Sequence, residues 1–295
     1  MTTTLDLPFQ LGETVERDGL AITPLFPRRD PVCDYVSLDE ALAGGLQIGE
    51  VDEAGDVGEL RVRNPLGRAA LLYDGEELIG AKQNRILNLT VLLGAGSMIS
   101  VPVSCVERGR WSMQGKQFRS AGHVSGPELR RRKAQALRSG ALARGAAQAD
   151  VWATVDHQLS VRQVASRTAA NADGFKARAP EIRRAVDDFP MQPGQSGVIA
   201  ALAGHGWSVD LISRPDVFGQ VYSKLLAGYV FDLLTAKGAL VDPADVLAAV
   251  GAAVARRSGS AGLGDDLRVE GNGVIGSGLA VSGELIQLSA YGVAK

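Results

Sequence analysis

Along the chain, apolar and polar positions alternate in short runs punctuated by glycine, and this period-two pattern fills the first hundred or so residues. LQIGEVDE and ELRVRNP, residues 46–53 and 59–65, alternate as half-buried strands do. Ala69–Tyr73 and Glu76–Ala81 flank Asp74-Gly75. That predicts a tight hairpin, because a type I′ turn requires positive φ and Asp-Gly supplies it. Leu87–Leu93 and Met98–Val106 flank Gly94-Ala95-Gly96-Ser97 and predict a second hairpin. Val198–Ala203, a Gly204-His205-Gly206 turn and Trp207–Ile212 predict a third. Residues 1–30 read as short extended pieces broken by Pro8, Pro24 and Pro27, with Pro31 following, and residues 267–293 as strands with glycine turns.

The period lengthens after residue 125. Ser125-Gly126-Pro127-Glu128 has the form of a capping box with proline in the first turn. It predicts a helical region to about residue 168, interrupted near Gly140 and Gly145, and a shorter helix over about 174–188. Ser213 and Asp216 are expected to cap a helix that runs to about Lys237 and stops at Gly238. Asp242-Pro243 opens another, expected to end at Arg256-Arg257, where positive charge suits the helix dipole. Hairpins without repeated strand–helix alternation argue for an α+β fold of mostly antiparallel sheet. The expected organisation is one domain over 1–295, or a β-rich 1–125 part followed by helices and hairpins over 126–295.

Composition changes this picture little. With 45% hydrophobic and 22% charged residues, a sizeable core is available. A net charge of −2 gives no field to recruit nucleic acid or an acidic membrane, and 5% aromatics argues against base-stacking platforms. Cys33 and Cys105 are too few for a disulfide framework. MTTTLDLPFQLGE has no basic or apolar leader region, and no apolar run reaches the about 18 residues of a membrane span, so a cytoplasmic protein is expected.

Several motifs fail on context. Gly271-Asn272-Gly273-Val274-Ile275-Gly276 fits G-x-G-x-x-G, but a strand-like run follows it and the chain ends before the acidic partner. Gly109 to Lys116 is one residue too long for a phosphate loop, and Gln117 replaces the Ser or Thr. His123, His157 and His205 are far apart, so no transition-metal site is expected. Arg130-Arg131-Arg132-Lys133 reads as a solvated helix face, with an anionic partner as the alternative.

The chemistry concentrates in residues 75–111. Lys82-Gln83-Asn84-Arg85 places four long polar side chains between apolar runs. If residues 98–107 are extended, Ile99, Val101, Val103, Cys105 and Glu107 share one face, and Glu107 ends an apolar row. A carboxylate there needs a cation, and Lys82, Arg85 and Arg110 are the candidates. Leu87, Leu89, Val91 and Leu93 form another row, with Asn88 and Thr90 opposite as a polar floor. With Glu76, Glu77 and Trp111 these residues could line a pocket in which Lys and Arg hold phosphate or carboxylate, Gln and Asn read amides or hydroxyls, and Trp covers a ring. Lys224 lies beside the apolar stripe Val217, Val221, Leu225, Tyr229, Leu233 and either snorkels to solvent or aims at the same pocket. Cys105 reads as a buried structural cysteine. Spacing alone leaves open whether the polar residues form a ligand pocket or a structural ion-pair network.

DGEELIGAKQNRILN (74–88) and VPVSCVERGRW (101–111) resemble the domain associated with ADP-ribosylglycohydrolases and rhodanese-like phosphatases. Residues 197–232, a glycine-turn hairpin and a helix with Lys-Leu-Leu, and LIQLSAY (285–291) are similar to later blocks of that family. The resemblance implies a role in ADP-ribose or NAD metabolism, as an enzyme or as a ligand-binding partner, and carries no defined cofactor or mechanism. By motif it extends to Glu76, Lys82, Gln83, Asn84, Arg85, Glu107, Arg110, Trp111 and Lys224. Gln287 stands where a histidine is expected in the last strand.

The resulting expectation is a protein that binds a small anionic, nucleotide-like ligand. Arg85 and Lys82 hold phosphate, Gln83 and Asn84 orient, and Glu107 is a general base or an anchor for the cations. With catalysis, Glu107 and Lys82 would act in hydrolysis or transfer at a ribose–phosphate unit. The rival expectation is a non-catalytic scaffold with a protein partner. Nucleic acid and membrane are not expected as partners.

Overall fold

A computed structural model describes residues 2–52, 55–138, 146–233 and 240–292. The architecture is α+β with mostly antiparallel sheets. The chain divides into two compact units, the first Met1–Cys33, Glu181–Ser260 and Gly264–Lys295, the second Asp34–Pro180 and Ala261–Leu263. These divisions fall elsewhere than residue 125.

The first unit is built on a ten-stranded sheet. Its strand order is Thr2–Thr4, Val254–Gly259, Asp265–Gly271, Val274–Val281, Glu284–Gly292, Gly206–Ile212, Gly197–Leu202, Leu20–Pro27 and Phe9–Leu11, with Val15–Arg17 also on Leu20–Pro27. Leu25, Ile199, Val209, Leu211, Leu288 and Ala290 bury with Val246 and Val250 of helix Pro243–Gly251. The hairpin expected around Gly204 is present, and Gly271-Asn272-Gly273 turns between two paired strands.

Helix ends differ from expectation. Helix Pro215–Asp232 has Arg214 at its N-cap with no side-chain cap, and Asp216 pairs with Arg214 instead. The helix ends at Asp232, with Leu233 extended, short of the expected run to Lys237; Lys237 and Gly238, like the break expected near Gly140 and Gly145, lie outside the described residues. Helix Pro243–Gly251 stops before Arg256 and Arg257, which lie in strand Val254–Gly259. There, cross-strand pairing with Glu270 and Asp265 takes the place of the helix dipole.

In the second unit a six-stranded sheet runs Gln114–Val124, Glu76–Ala81, Arg85–Leu87, Met98–Cys105, Glu59–Arg63, Gln47–Glu50. Its two outer strands pack against each other, so the sheet curls towards a barrel around Ile48, Leu60, Val62, Leu78, Leu87, Val101, Val103 and Phe118. Helices Pro127–Arg138 and Ala146–Val161 cover Ile86 and Val106 on the other face. Val91–Leu93, Ala69–Leu72 and Tyr35–Ser37 make a separate three-stranded sheet.

Two expected hairpins of this unit do not form. Gly75 has φ +82, but Asp74 is not in the positive-φ region. With Glu76 N–H donating to Tyr73 O, the turn is not the I′ type that keeps strands paired. Ala69–Leu72 and Glu76–Ala81 therefore enter different sheets. The run 87–93 also breaks. Arg85–Leu87 pairs with Met98–Cys105, whereas Val91–Leu93 pairs with Ala69–Leu72. Asn88 and Thr90, expected on a ligand floor, are buried and hold this break together: Ser104 Oγ donates to Asn88 Oδ1 at 2.8 Å and Asp74 N–H to Thr90 Oγ1 at 2.9 Å. Among the described residues, no helix is long and apolar enough to cross a membrane.

Candidate functional site

Directly opposed residues of antiparallel strands share a face. The register opposes Arg85 to Cys105, Leu87 to Val103, Val101 to Leu60 and Leu60 to Glu50. Arg85 and Glu50 are thus on the same inner face as the apolar core, each at the end of its strand. The Lys82 N–H donates to Glu50 Oε1 at 3.2 Å, tying the two strands together.

Arg85 is 0% exposed. Its Nη1 donates to Gln83 Oε1 at 3.1 Å, while Nε and Nη2 have no hydrogen-bond partner. Burial pushes its pKa down, opposed by Cys105 and Glu50, and the guanidinium stays charged. Glu50 Oε2 is also buried without a partner. Over this corner lies Trp111, 49% exposed, with Lys82 Nζ 5.3 Å and Arg85 Cζ 5.7 Å from its ring centre, both within cation–π range.

Beside it is a completed network. Glu107 Oε2 accepts from Asn84 N at 3.1 Å and from Arg110 Nε at 2.9 Å, and Arg110 Nη2 lies 2.7 Å away. Thr168 Oγ1 donates to Glu107 Oε1. Of the three cations considered for Glu107, Arg110 makes the ion pair. Arg110 also donates to the carbonyls of Ala81 and Ser112 and to Asn84 Oδ1. Gln83 Nε2 donates to the Glu107 carbonyl, and the Cys105 thiol to Gln83 Oε1. Burial pushes the Cys105 thiol pKa up, so it is held neutral.

Glu76 is buried and accepts from the Tyr73 N–H. Glu77, on the opposite face of its strand, accepts from Asn171 Nδ2 at 2.7 Å and lies 2.8 Å from His123 Nε2, whose ring stacks on Phe175. The 130–133 run corrects an expectation. Arg131 and Arg132 pair with Glu128 outside, but Arg130 and Lys133 are buried, with Lys133 Nζ 2.7 Å from Asp74 Oδ1. A spacing of three puts both on one helix face, aimed inward. The helix begins at Pro127, and Ser125 Oγ, expected to cap it, makes no hydrogen bond.

Lys224 belongs to the first unit and is 5% exposed, so it does not snorkel to solvent. Glu50 was missed from sequence, although its alternation with Ile48 marks it as inward-facing. Among the described residues no group of three or more His, Cys, Asp or Glu is placed to hold a metal ion. The first unit contains a cavity of about 420 Å³ beside Phe9, Leu267 and Arg257, but its cations Arg29 and Arg257 already face Asp6 and Asp265.

No curated protein and no solved structure matches the chain. A family model, ARPP-1, the ARG and Rhodanese-Phosphatase-superfamily-associated Protein domain, matches residues 8–291. That span takes in both units and every residue of the Arg85 corner, and the chain belongs to this family.

Proposed function

We propose that this chain is a cytoplasmic protein that binds a small, ring-bearing anion of the nucleotide class, linked to ADP-ribose or NAD metabolism, at the Arg85 corner of the six-stranded sheet. The observation that carries this reading is the buried Arg85 guanidinium with Nε and Nη2 unpartnered. A buried N–H without an acceptor costs roughly 1–3 kcal/mol. Nε and Nη2 form the fork that carboxylate and phosphate oxygens take bidentately. Lys82 adds a second cation and Trp111 a ring face. Arg85 has no exposed surface, so the ligand reaches it when Trp111 and Lys82 swing aside.

Binding is favoured over catalysis. Glu107 is occupied by Asn84, Arg110 and Thr168 and serves as an anchor. An enzymatic version, with Glu107 and Lys82 acting in hydrolysis or transfer at a ribose–phosphate unit, requires Glu107 to leave those donors. The completed Glu107–Arg110 network favours a second reading, an interaction scaffold whose polar cluster is structural.

A thermal-shift screen with AMP, ADP-ribose, NAD and inorganic phosphate separates the two. Ligand that binds the native state raises Tm with concentration. The expected result is such a rise with at least one compound, lost in Arg85→Lys and Lys82→Ala, with the unliganded Tm of Lys82→Ala within a few degrees of the parent. No rise with any of them, or a rise that both variants keep, overturns the reading in favour of the scaffold.

A further inference from the structure

In the first unit, alternate residues of strand Leu20–Pro27 share a face, which puts Ile22, Pro24 and Phe26 together. The register opposes Ile22 to Val15, so Val15 and Arg17 join that face at the edge of the ten-stranded sheet. Tyr222, from helix Pro215–Asp232, and the segment 189–195 meet them there. The cavity they line measures about 380 Å³, within the range of small-molecule sites. All its lining residues belong to the first unit, whereas the Arg85 corner belongs to the second.

Its walls are aromatic. Phe189 and Tyr222 are each 4% exposed, and Phe26 is half-buried. Phe218 continues the wall beside Tyr222, with ring centres 5.6 Å apart. Gln195 holds the Tyr222 hydroxyl, and burial pushes that group's pKa up to about 12, so the wall is neutral. Gln195 also accepts from the Gln192 N–H and donates to the Gly197 carbonyl, both at 3.0 Å, which fixes the segment beside the cavity.

Its rim is acidic. The charged lining residues are Glu13, Asp188 and Arg17, all exposed. Arg17 Nη1 donates to the Glu16 carbonyl at 2.7 Å. Among the described residues, the Glu13 and Asp188 side chains meet no ion-pair or hydrogen-bond partner, neither Arg17 nor Arg184 one turn before Asp188. Asp187 and Asp188 stand in the last turn of helix Ala179–Asp188, which has no basic residue there. The C-terminal end of a helix is itself partly negative, so carboxylates there are unfavourable and a cation is stabilised. Aromatic faces attract the same charge.

We propose that this cavity is a second ligand site, for a small organic cation with a flat apolar body. The body lies against Phe26, Phe189 and Tyr222, and the ammonium meets Glu13 and Asp188 at the rim. Both carboxylates face solvent, so the ammonium is paired without being buried alone. A neutral ring gains only the walls, and an anion meets two carboxylates against one guanidinium.

The test is calorimetric titration of the full chain, at neutral pH and low salt, with four indole probes. Tryptamine is the cation, tryptophol the neutral compound, tryptophan the zwitterion and indole-3-acetate the anion. Tryptamine should bind at least about tenfold tighter than the other three, and added salt should weaken it. Glu13 and Asp188 are exposed and without side-chain partners, so the double variant Glu13→Gln with Asp188→Asn keeps the fold. In it, tryptamine affinity should fall to within about threefold of tryptophol. Asp6→Asn, which removes a carboxylate at the other cavity of this unit, should change tryptamine affinity by less than about twofold. Tryptophol, tryptophan or indole-3-acetate binding as tightly as tryptamine overturns the proposal. So does tryptamine affinity that the double variant keeps, or that Asp6→Asn lowers as much, and so does the absence of binding by every probe.

Discussion

The four consecutive polar side chains at 82–85 divide by residue. Gln83 and Asn84 turn to Glu107 and the barrel strands, where their hydrogen bonds are met. Arg85 is the member whose donors stay open. That asymmetry predicts opposite effects on stability. Arg85→Met keeps the volume and removes unsatisfied N–H groups, so in urea denaturation the unliganded protein should be more stable, by about 1–3 kcal/mol, while AMP binding disappears. A structural Arg85 would give a loss of stability instead. Glu107→Gln leaves Arg110 facing a neutral group in a buried pair and should destabilise by roughly 3–5 kcal/mol. Cys105 adds a pH effect. Its folded pKa is raised by burial, so its contribution to stability is full below the ordinary thiol range and is lost as pH rises through and beyond that range. Cys105→Ala should make the parent's decline in Tm between pH 8 and 10 shallower. The grouping of Lys82, Arg85, Glu107 and Arg110 was legible because all lie within one short stretch. Which cation would take Glu107 was not, because the bend after Cys105, bridged at Glu107 to Ala170, ends the alternation that the strand pattern extends to residue 107.

At the scale of elements, local pattern succeeds where partners are neighbours. Gly197–Leu202 and Gly206–Ile212 pair across a tight turn, and the turn residues announce it. Ala69–Leu72 and Glu76–Ala81, on either side of Asp74-Gly75, have the same look, yet they pair not with each other but with Val91–Leu93 and with Arg85–Leu87 and Gln114–Val124. The decisive feature is the Asp74 side chain, which reaches Lys133 in helix Pro127–Arg138. No window of local sequence contains both residues. Lys133 also donates to the Leu87 carbonyl, so one ammonium fastens the helix to the turn and to strand Arg85–Leu87. Burial pushes the Lys133 pKa down against the pull of Asp74. Lys133→Met leaves Asp74 buried with only Arg130 near, at 3.7 Å. It should cost about 3–5 kcal/mol in urea denaturation, whereas Arg132→Met on the exposed side of the same helix should cost less than about 0.5 kcal/mol. Equal losses would return the whole run to a solvated face.

At the scale of the molecule, the two units are assembled differently. The first gathers its sheet from three segments, so that Thr2 pairs with Arg256 and Thr23 with Ile199. Pairings of that sequence separation leave no local trace, and this is why the sequence pattern yields the strands but not their order. The second is nearly continuous. Residues 34–180 contain its core and the whole Arg85 corner, from Glu50 to Thr168. What lies outside is Ala261–Leu263, whose Leu263 N–H donates to the Leu92 carbonyl at 2.8 Å. Losing the Leu263 side chain, 45% exposed, removes little buried apolar surface. A fragment of residues 34–180 should therefore unfold in one cooperative urea transition, as single domains of this size do, and bind AMP within about threefold of the full chain. If it folds but no longer binds, the anion site draws on groups beyond Asp34–Pro180, and the assignment of ligand contacts to Arg85, Lys82 and Trp111 alone is wrong. If it fails to fold, the three residues 261–263 carry more of this unit than one bridge accounts for, and restoring them through a short glycine linker should recover the transition.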